Sequence, residues 1–159
     1  EYPARPIVGI GVAVLRPGAA GVPEVLLVRR GKAPNIGSWA LPGGAQDLGE
    51  TAADGARREI MEECGLRLGE VHLAANVDSI HRDPNGRVRY HYTIIDFAAL
   101  WQGDAAVAAD DVSEVAWVGC IEAISLSVAK RGMSAGATTC ACSTRQRWSL
   151  PAASPRVFS

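Results

Sequence analysis

Residues 130–159 contain no aspartate or glutamate. No part of the chain offers the roughly 20 consecutive apolar residues that a membrane-spanning helix needs. The opening stretch "EYPARPIVGIG" lacks the basic start, apolar middle and small-residue cleavage site of a secretory signal. A cytoplasmic chain with no membrane partner is therefore expected. Cysteine is sparse and poorly spaced: Cys64, Cys120, Cys140 and Cys142 supply neither a Cys-x-x-Cys zinc pair nor a compact disulfide framework. They read as reduced thiols. No internal repeat is visible.

What is present fits one domain. The chain has 159 residues, 48% of them hydrophobic and 21% charged, as in a globular protein with a single core. Its net charge of −1 hides an asymmetry: residues 1–129 carry all 17 acids against 11 Lys and Arg, whereas residues 130–159 carry five basic residues. A body this acidic has no broad electrostatic footprint for a nucleic-acid backbone, so nucleic acid is not expected as a partner. Phosphates would have to be handled by a local device.

"PIVGIGVAVLR" (6–16) and "EVLLVRR" (24–30) read as strands separated by a Pro/Gly-rich loop. "VHLAANVDSIHR" and "RVRYHYTIIDFAAL" read as a hairpin closed by "DPNG", and "VSEVAWV" as a last short strand. Between them Thr51 to about Cys64 reads as a helix. Thr51 and Asp54 have capping-box spacing, with Asp in place of the usual Glu, and Gly65 suits a C-terminal cap. Gly55 inside it is a mild fault, costing about 1 kcal/mol relative to Ala. Strands on both sides of one helix predict an α/β (α+β) fold with a mixed sheet.

Beyond Gly119 the pattern decays. "CIEAISL" could begin a helix, but residues 130–159 form an atypical basic segment with no sustained period. A natural tail and a shifted reading frame both remain open. Without a closing helix one sheet face is uncovered, and a homodimer or domain swap is one way to cover it.

The chemistry concentrates at the end of the helix. With a step of about 100° per residue, Glu59, Glu62 and Glu63 fall within an arc of about 100°, beside an apolar stripe of Ala53, Ile60 and Cys64. Two like charges about 6 Å apart repel by roughly 3 kcal/mol at an effective dielectric near 20. Three carboxylates on one face call for a cation, and oxygen ligands suit Mg²⁺ or Mn²⁺. The alternative is a solvated face neutralised by Arg58, four residues before Glu62, with help from Arg57.

The wider pattern decides between them. Residues 44–66 match G-x₅-E-x₇-R-E-U-x-E-E-x-G-U, where U is a bulky aliphatic residue, at Gly44, Glu50, Arg58, Glu59, Ile60, Glu62, Glu63, Gly65 and Leu66. This resembles the signature of the Nudix hydrolases, and "GSWALPGG" resembles the segment that leads into it. The resemblance implies an α/β/α sandwich over residues 1–129. It also implies metal-dependent cleavage of the pyrophosphate in a nucleoside diphosphate linked to another moiety.

By that resemblance Glu59, Glu62 and Glu63 are metal ligands, Glu50 a weaker one, and the Gly43 carbonyl a further donor. Arg58 positions a carboxylate. Gly44 lets the backbone approach phosphate. Glu114 ranks ahead of Asp110 and Asp111 as the general base, all three being placed in a loop before the last strand. Arg29 and Arg30 end the second strand facing opposite sides, so at most one reaches phosphate. Trp39 is a candidate pocket wall, while Trp101 and Trp117 read as packing. His81, Arg82, Tyr90, His91 and Asp96 are weaker candidates for touching a base or ribose.

The best match in overall resemblance is to members acting on ADP-ribose or related nucleoside diphosphate sugars, giving AMP and ribose 5-phosphate. The proline that marks the ADP-ribose subgroup is replaced here by His81. A nucleoside triphosphate pyrophosphohydrolase, an RNA-cap hydrolase and a catalytically idle nucleotide sensor remain as alternatives. The sensor reading is disfavoured by the intact set of box glutamates.

Overall fold

The computed structural model describes residues 2–31 and 36–123. The segment 130–159, Cys140 and Cys142 lie outside the described residues. Among the described residues six strands, β1 (Ile7–Arg16), β2 (Glu24–Arg30), β3 (Trp39–Ala40), β4 (Val71–Arg82), β5 (Val88–Leu100) and β6 (Val112–Gly119), accompany the helix α1 (Ala52–Cys64). The strands follow the order β3-β2-β1-β5-β4, and β6 pairs with β2. β1 runs parallel to β5 from Ile7↔Tyr92 to Leu15↔Leu100, while the other pairings are antiparallel. The sheet is therefore mixed, as expected.

Each long strand has a local cause. β-Branched residues alternate along β1, sending Ile10, Val12 and Val14 into the core and Gly9 and Gly11 to the other face. The β4–β5 reversal is built by Asp83, whose carboxylate accepts from the Asn85 and Arg87 N–H groups at 2.9 Å each. Gly86, at φ 81°, completes it by donating to the Asp83 carbonyl.

Thr51 caps α1 by accepting from the Asp54 N–H at 3.1 Å. Asp54 does not reach back to the cap backbone as a Glu would. Its shorter carboxylate instead accepts from the Thr51 hydroxyl at 2.7 Å. The far end closes at Gly65 in the left-handed region, φ 65°, with its N–H on the Met61 carbonyl at 3.0 Å. The apolar stripe packs as expected: Ile60 and Cys64 are fully buried with Ala56, and Ala53 lies against the same cluster. Burial pushes the Cys64 thiol up to about 12, which makes it an inert core residue.

Gly55 corrects the sequence reading. A Cβ there would stand 2.5 Å from Ile10 Cδ1 and 2.7 Å from Glu50 Oε1. The glycine is the close-packing point between α1, β1 and the loop before the helix, so its propensity deficit is offset by the approach it permits.

Trp101 and Trp117 meet edge to face at 6.0 Å between ring centroids, with the Arg16 guanidinium 4.3 Å from the Trp117 ring. Both are packing residues, as expected. Residues 120–123 are helical, in line with a helix starting at Cys120. No helix among the described residues is long and apolar enough to cross a membrane.

Candidate active site

The loop entering the helix is laid along β1 by backbone bonds. Val12 N–H donates to the Pro42 carbonyl at 3.0 Å, Ile10 N–H to the Gly44 carbonyl at 2.8 Å, and Gln46 N–H to the Val8 carbonyl at 3.1 Å. Pro42 is fully buried under this ladder. Gly43 has φ 145°, and a Cβ on it would collide with the Ile10 carbonyl. At Gly44 a Cβ would stand 2.6 Å from Glu59 Cδ and 2.7 Å from Glu59 Oε2. Both glycines exist so that backbone can lie against β1 on one side and a carboxylate on the other.

Glu59, Glu62 and Glu63 line one cavity of about 300 Å³, together with Arg30, Gly43, Gly44, Asp110 and Asp111. The single helical face expected of them is thus realised. Glu59 is buried. Desolvation raises its pKa above the usual carboxylate value, against the opposing pull of Arg58. Glu63 accepts from the Gly43 N–H at 2.9 Å, yet burial and the neighbouring Glu59 charge still raise its pKa. Arg30 opposes that rise.

Arg58 is the hub of the carboxylates. It donates to Glu50 at 2.7 and 3.1 Å, to Glu59 at 2.8 Å, to Glu62 at 3.1 Å and to the Ala45 carbonyl at 3.1 Å. These bonds raise its pKa further above the ordinary guanidinium value. Glu50 is correspondingly lowered, first by Arg58 and then by the Asp47 N–H it accepts at 2.7 Å. The planar five-donor guanidinium can serve several acceptors at once, which a lysine cannot do. Among the described residues no three His, Cys, Asp or Glu side chains are already gathered closely enough to hold a metal ion.

Other candidates are separated by the geometry. Arg30 lines the cavity, while Arg29 turns away to pair with Glu114 at 3.3 Å and to donate to the Gly37 carbonyl. The opposite-facing expectation for the two arginines holds. Glu114 is not in a loop: it lies within β6 in register with Arg29, and does not line the cavity. Asp110 and Asp111 do line it, from the turn before β6. Asp110 has φ 51°, a conformation that Asp tolerates better than most residues. Ala40 lines the cavity and its neighbour Trp39 does not. Asp110 and Asp111 are legible in the sequence only as neighbours of Glu114, because the register that pairs Glu114 with Arg29 appears only in the folded sheet.

A model of the NUDIX domain matches residues 5–136. The chain is 37% identical over 91 residues to an ADP-ribose pyrophosphatase of Methanocaldococcus jannaschii, covering 57% of this chain and 52% of that protein. It is 32% identical over 95 residues to a putative 8-oxo-dGTP diphosphatase of Bacillus subtilis, covering 60% and 57% respectively. The chain thus spans a little over half the length of these two curated relatives. Among solved structures, a MutT NUDIX hydrolase from Burkholderia pseudomallei superposes with a TM-score of 0.61 at 29% identity, covering 77% of this chain and 97% of that one. With the glycine loop, the carboxylate helix and the mixed sheet all inside the matched segment, the chain belongs to the Nudix family.

Proposed function

We propose that the chain is a divalent-metal-dependent pyrophosphohydrolase that cleaves a nucleoside diphosphate linked to another moiety, with ADP-ribose or a related nucleoside diphosphate sugar as substrate. The observation that carries this reading is the cavity holding Glu59, Glu62 and Glu63 beside the Gly43–Gly44 backbone. The donor set fits a hard cation. Two of the three carboxylates are raised in pKa by burial that local positive charge does not offset, and added positive charge would reverse that.

Glu59, Glu62 and Glu63 would hold Mg²⁺ or Mn²⁺, with Glu50 and the Gly43 carbonyl as further donors. Bound there, the ion would neutralise pyrophosphate charge and make water a better nucleophile. Arg58 orients Glu59 and Glu62 and would share them with a bound ion. Arg30 supplies a fixed positive charge at the cavity wall, placed for a phosphate oxygen. Asp110 and Asp111 replace Glu114 as the carboxylates close enough to the cavity to take a proton from water.

Preference for ADP-ribose is supported by the similarity to the M. jannaschii ADP-ribose pyrophosphatase. The similarity to the B. subtilis putative 8-oxo-dGTP diphosphatase favours a second reading, a nucleoside triphosphate substrate. Incubation with Mg²⁺ and ADP-ribose, NADH, dinucleoside polyphosphates or nucleoside triphosphates, followed by chromatography of the products, separates them. AMP and ribose 5-phosphate from ADP-ribose support the first reading. Turnover of triphosphates alone replaces it with the second, and turnover of none sinks both.

A further inference from the structure

A second cavity of about 810 Å³ lies on the sheet face opposite α1 and shares Arg30, Ala40, Leu41 and Gly43–Ala45 with the carboxylate cavity. Gly9 and Gly11 of β1 form part of its floor, beside Tyr92, Ile94 and Asp96 of β5. A Cβ on Gly9 would lie 3.5 Å from Ile94 Cγ1, and a side chain continuing from it would fill the groove. On Gly11 a Cβ would collide with Asp96 Oδ1. The glycine opposite Asp96 in the strand register therefore leaves that carboxylate its present position.

Asp96 is a half-buried acid whose side chain forms no hydrogen bond or ion pair with the described residues. Burial alone raises its pKa. Its groove neighbours Ser79 and His81 are by contrast within hydrogen-bond distance of each other, at 3.2 Å. An acceptor held in a groove without a donor among the described residues is left to be satisfied by whatever enters.

We infer that Asp96 is a specificity-determining acceptor for the non-phosphate part of the substrate, taking hydrogen bonds from the ribose diol or the exocyclic amine of a nucleoside seated over Gly9 and Gly11. This rests on the pyrophosphohydrolase reading, because the groove opens onto the cavity that would hold the phosphates. A site built around such an acceptor discriminates strongly against an analogue lacking the donor, since the acceptor is then left unpaired.

The test is calorimetric binding of ADP, 2′,3′-dideoxy-ADP and inosine diphosphate, without added metal, to the full chain and to Asp96→Ala and Gly11→Ala. ADP should bind the Asp96→Ala chain roughly tenfold to a hundredfold more weakly. Whichever analogue lacks the recognised donor should bind the parent equally weakly and lose nothing further in the variant. Loss with the dideoxy ligand identifies the diol, and loss with the inosine ligand identifies the amine. Gly11→Ala, which crowds the carboxylate while leaving it in the sequence, should show the same selectivity. An equal factor for all three ligands, unchanged ADP affinity, or no binding to the parent overturns the inference. Hydrolysis of ADP-ribose by the parent is assayed alongside. Lack of turnover with the selective pattern intact removes the enzymatic reading and leaves the acceptor role standing.

Discussion

Glu59 presses its carboxylate against the bare Cα side of Gly44, where a Cβ would stand 2.6 Å from Glu59 Cδ. The glycine and the glutamate therefore define each other's position. Gly44→Ala should leave the melting temperature nearly unchanged, because the methyl faces the cavity, while displacing Glu59. Hydrolytic rate should fall on the order of a hundredfold, the effect of misplacing a catalytic group by about 1 Å. Steady-state kinetics beside a thermal melt check it, and a fully active alanine variant refutes the packing argument.

Arg58 joins Glu50, Glu59 and Glu62 through one guanidinium. Arg58→Lys keeps the charge but cannot span three carboxylates. Activity or metal affinity should fall by roughly tenfold to a hundredfold, as for other residues that orient ligands. Mn²⁺ titration of the lysine variant measures this directly.

For Gly55 two forces have opposite signs. Helix propensity alone makes Gly55→Ala stabilising by about 1 kcal/mol, whereas crowding against Ile10 Cδ1 and Glu50 Oε1 makes it destabilising by about 1 to 3 kcal/mol. The crowding should win, giving a lower urea midpoint at unchanged slope. A raised midpoint would show that the contact relaxes at no cost.

The contrast at Gly55 shows what the sequence could and could not convey. The helix, its Thr51 and Gly65 caps and the "DPNG" hairpin were legible because each depends on neighbours within a few residues. The common face of Glu59, Glu62 and Glu63 was legible for the same reason, through helical periodicity. The parallel pairing of β1 with β5 and the docking of Pro42–Gln46 on β1 join segments far apart in the chain, and no local pattern announces them. Gly55 looked like a fault because its partner Ile10 lies in another strand. Glu114 reads as a loop residue in the sequence because its pairing with Arg29 depends on a strand register that emerges only from the folded sheet.

Asp96 sets a pH dependence of stability. Its folded pKa is raised by burial, so the native state keeps a proton that the unfolded chain releases. The stabilising contribution is fully present below the unfolded carboxylate pKa and is lost as pH rises through the folded value. Asp96→Asn should therefore melt higher than the parent at pH 7, with the difference vanishing near pH 3. An equal difference at both pH values would trace the effect to something other than ionisation.

On the proposed reading, the carboxylates of α1 need a divalent cation in order to cleave pyrophosphate. AMP release from ADP-ribose by the full chain, followed as Mg²⁺ is titrated from a chelated baseline, tests it most directly when run beside Glu62→Gln. Turnover that is absent without metal, saturates with Mg²⁺ in the parent and collapses in the glutamine variant is the predicted result. Turnover that is indifferent to the chelator, or equal in the two proteins, would contradict the account.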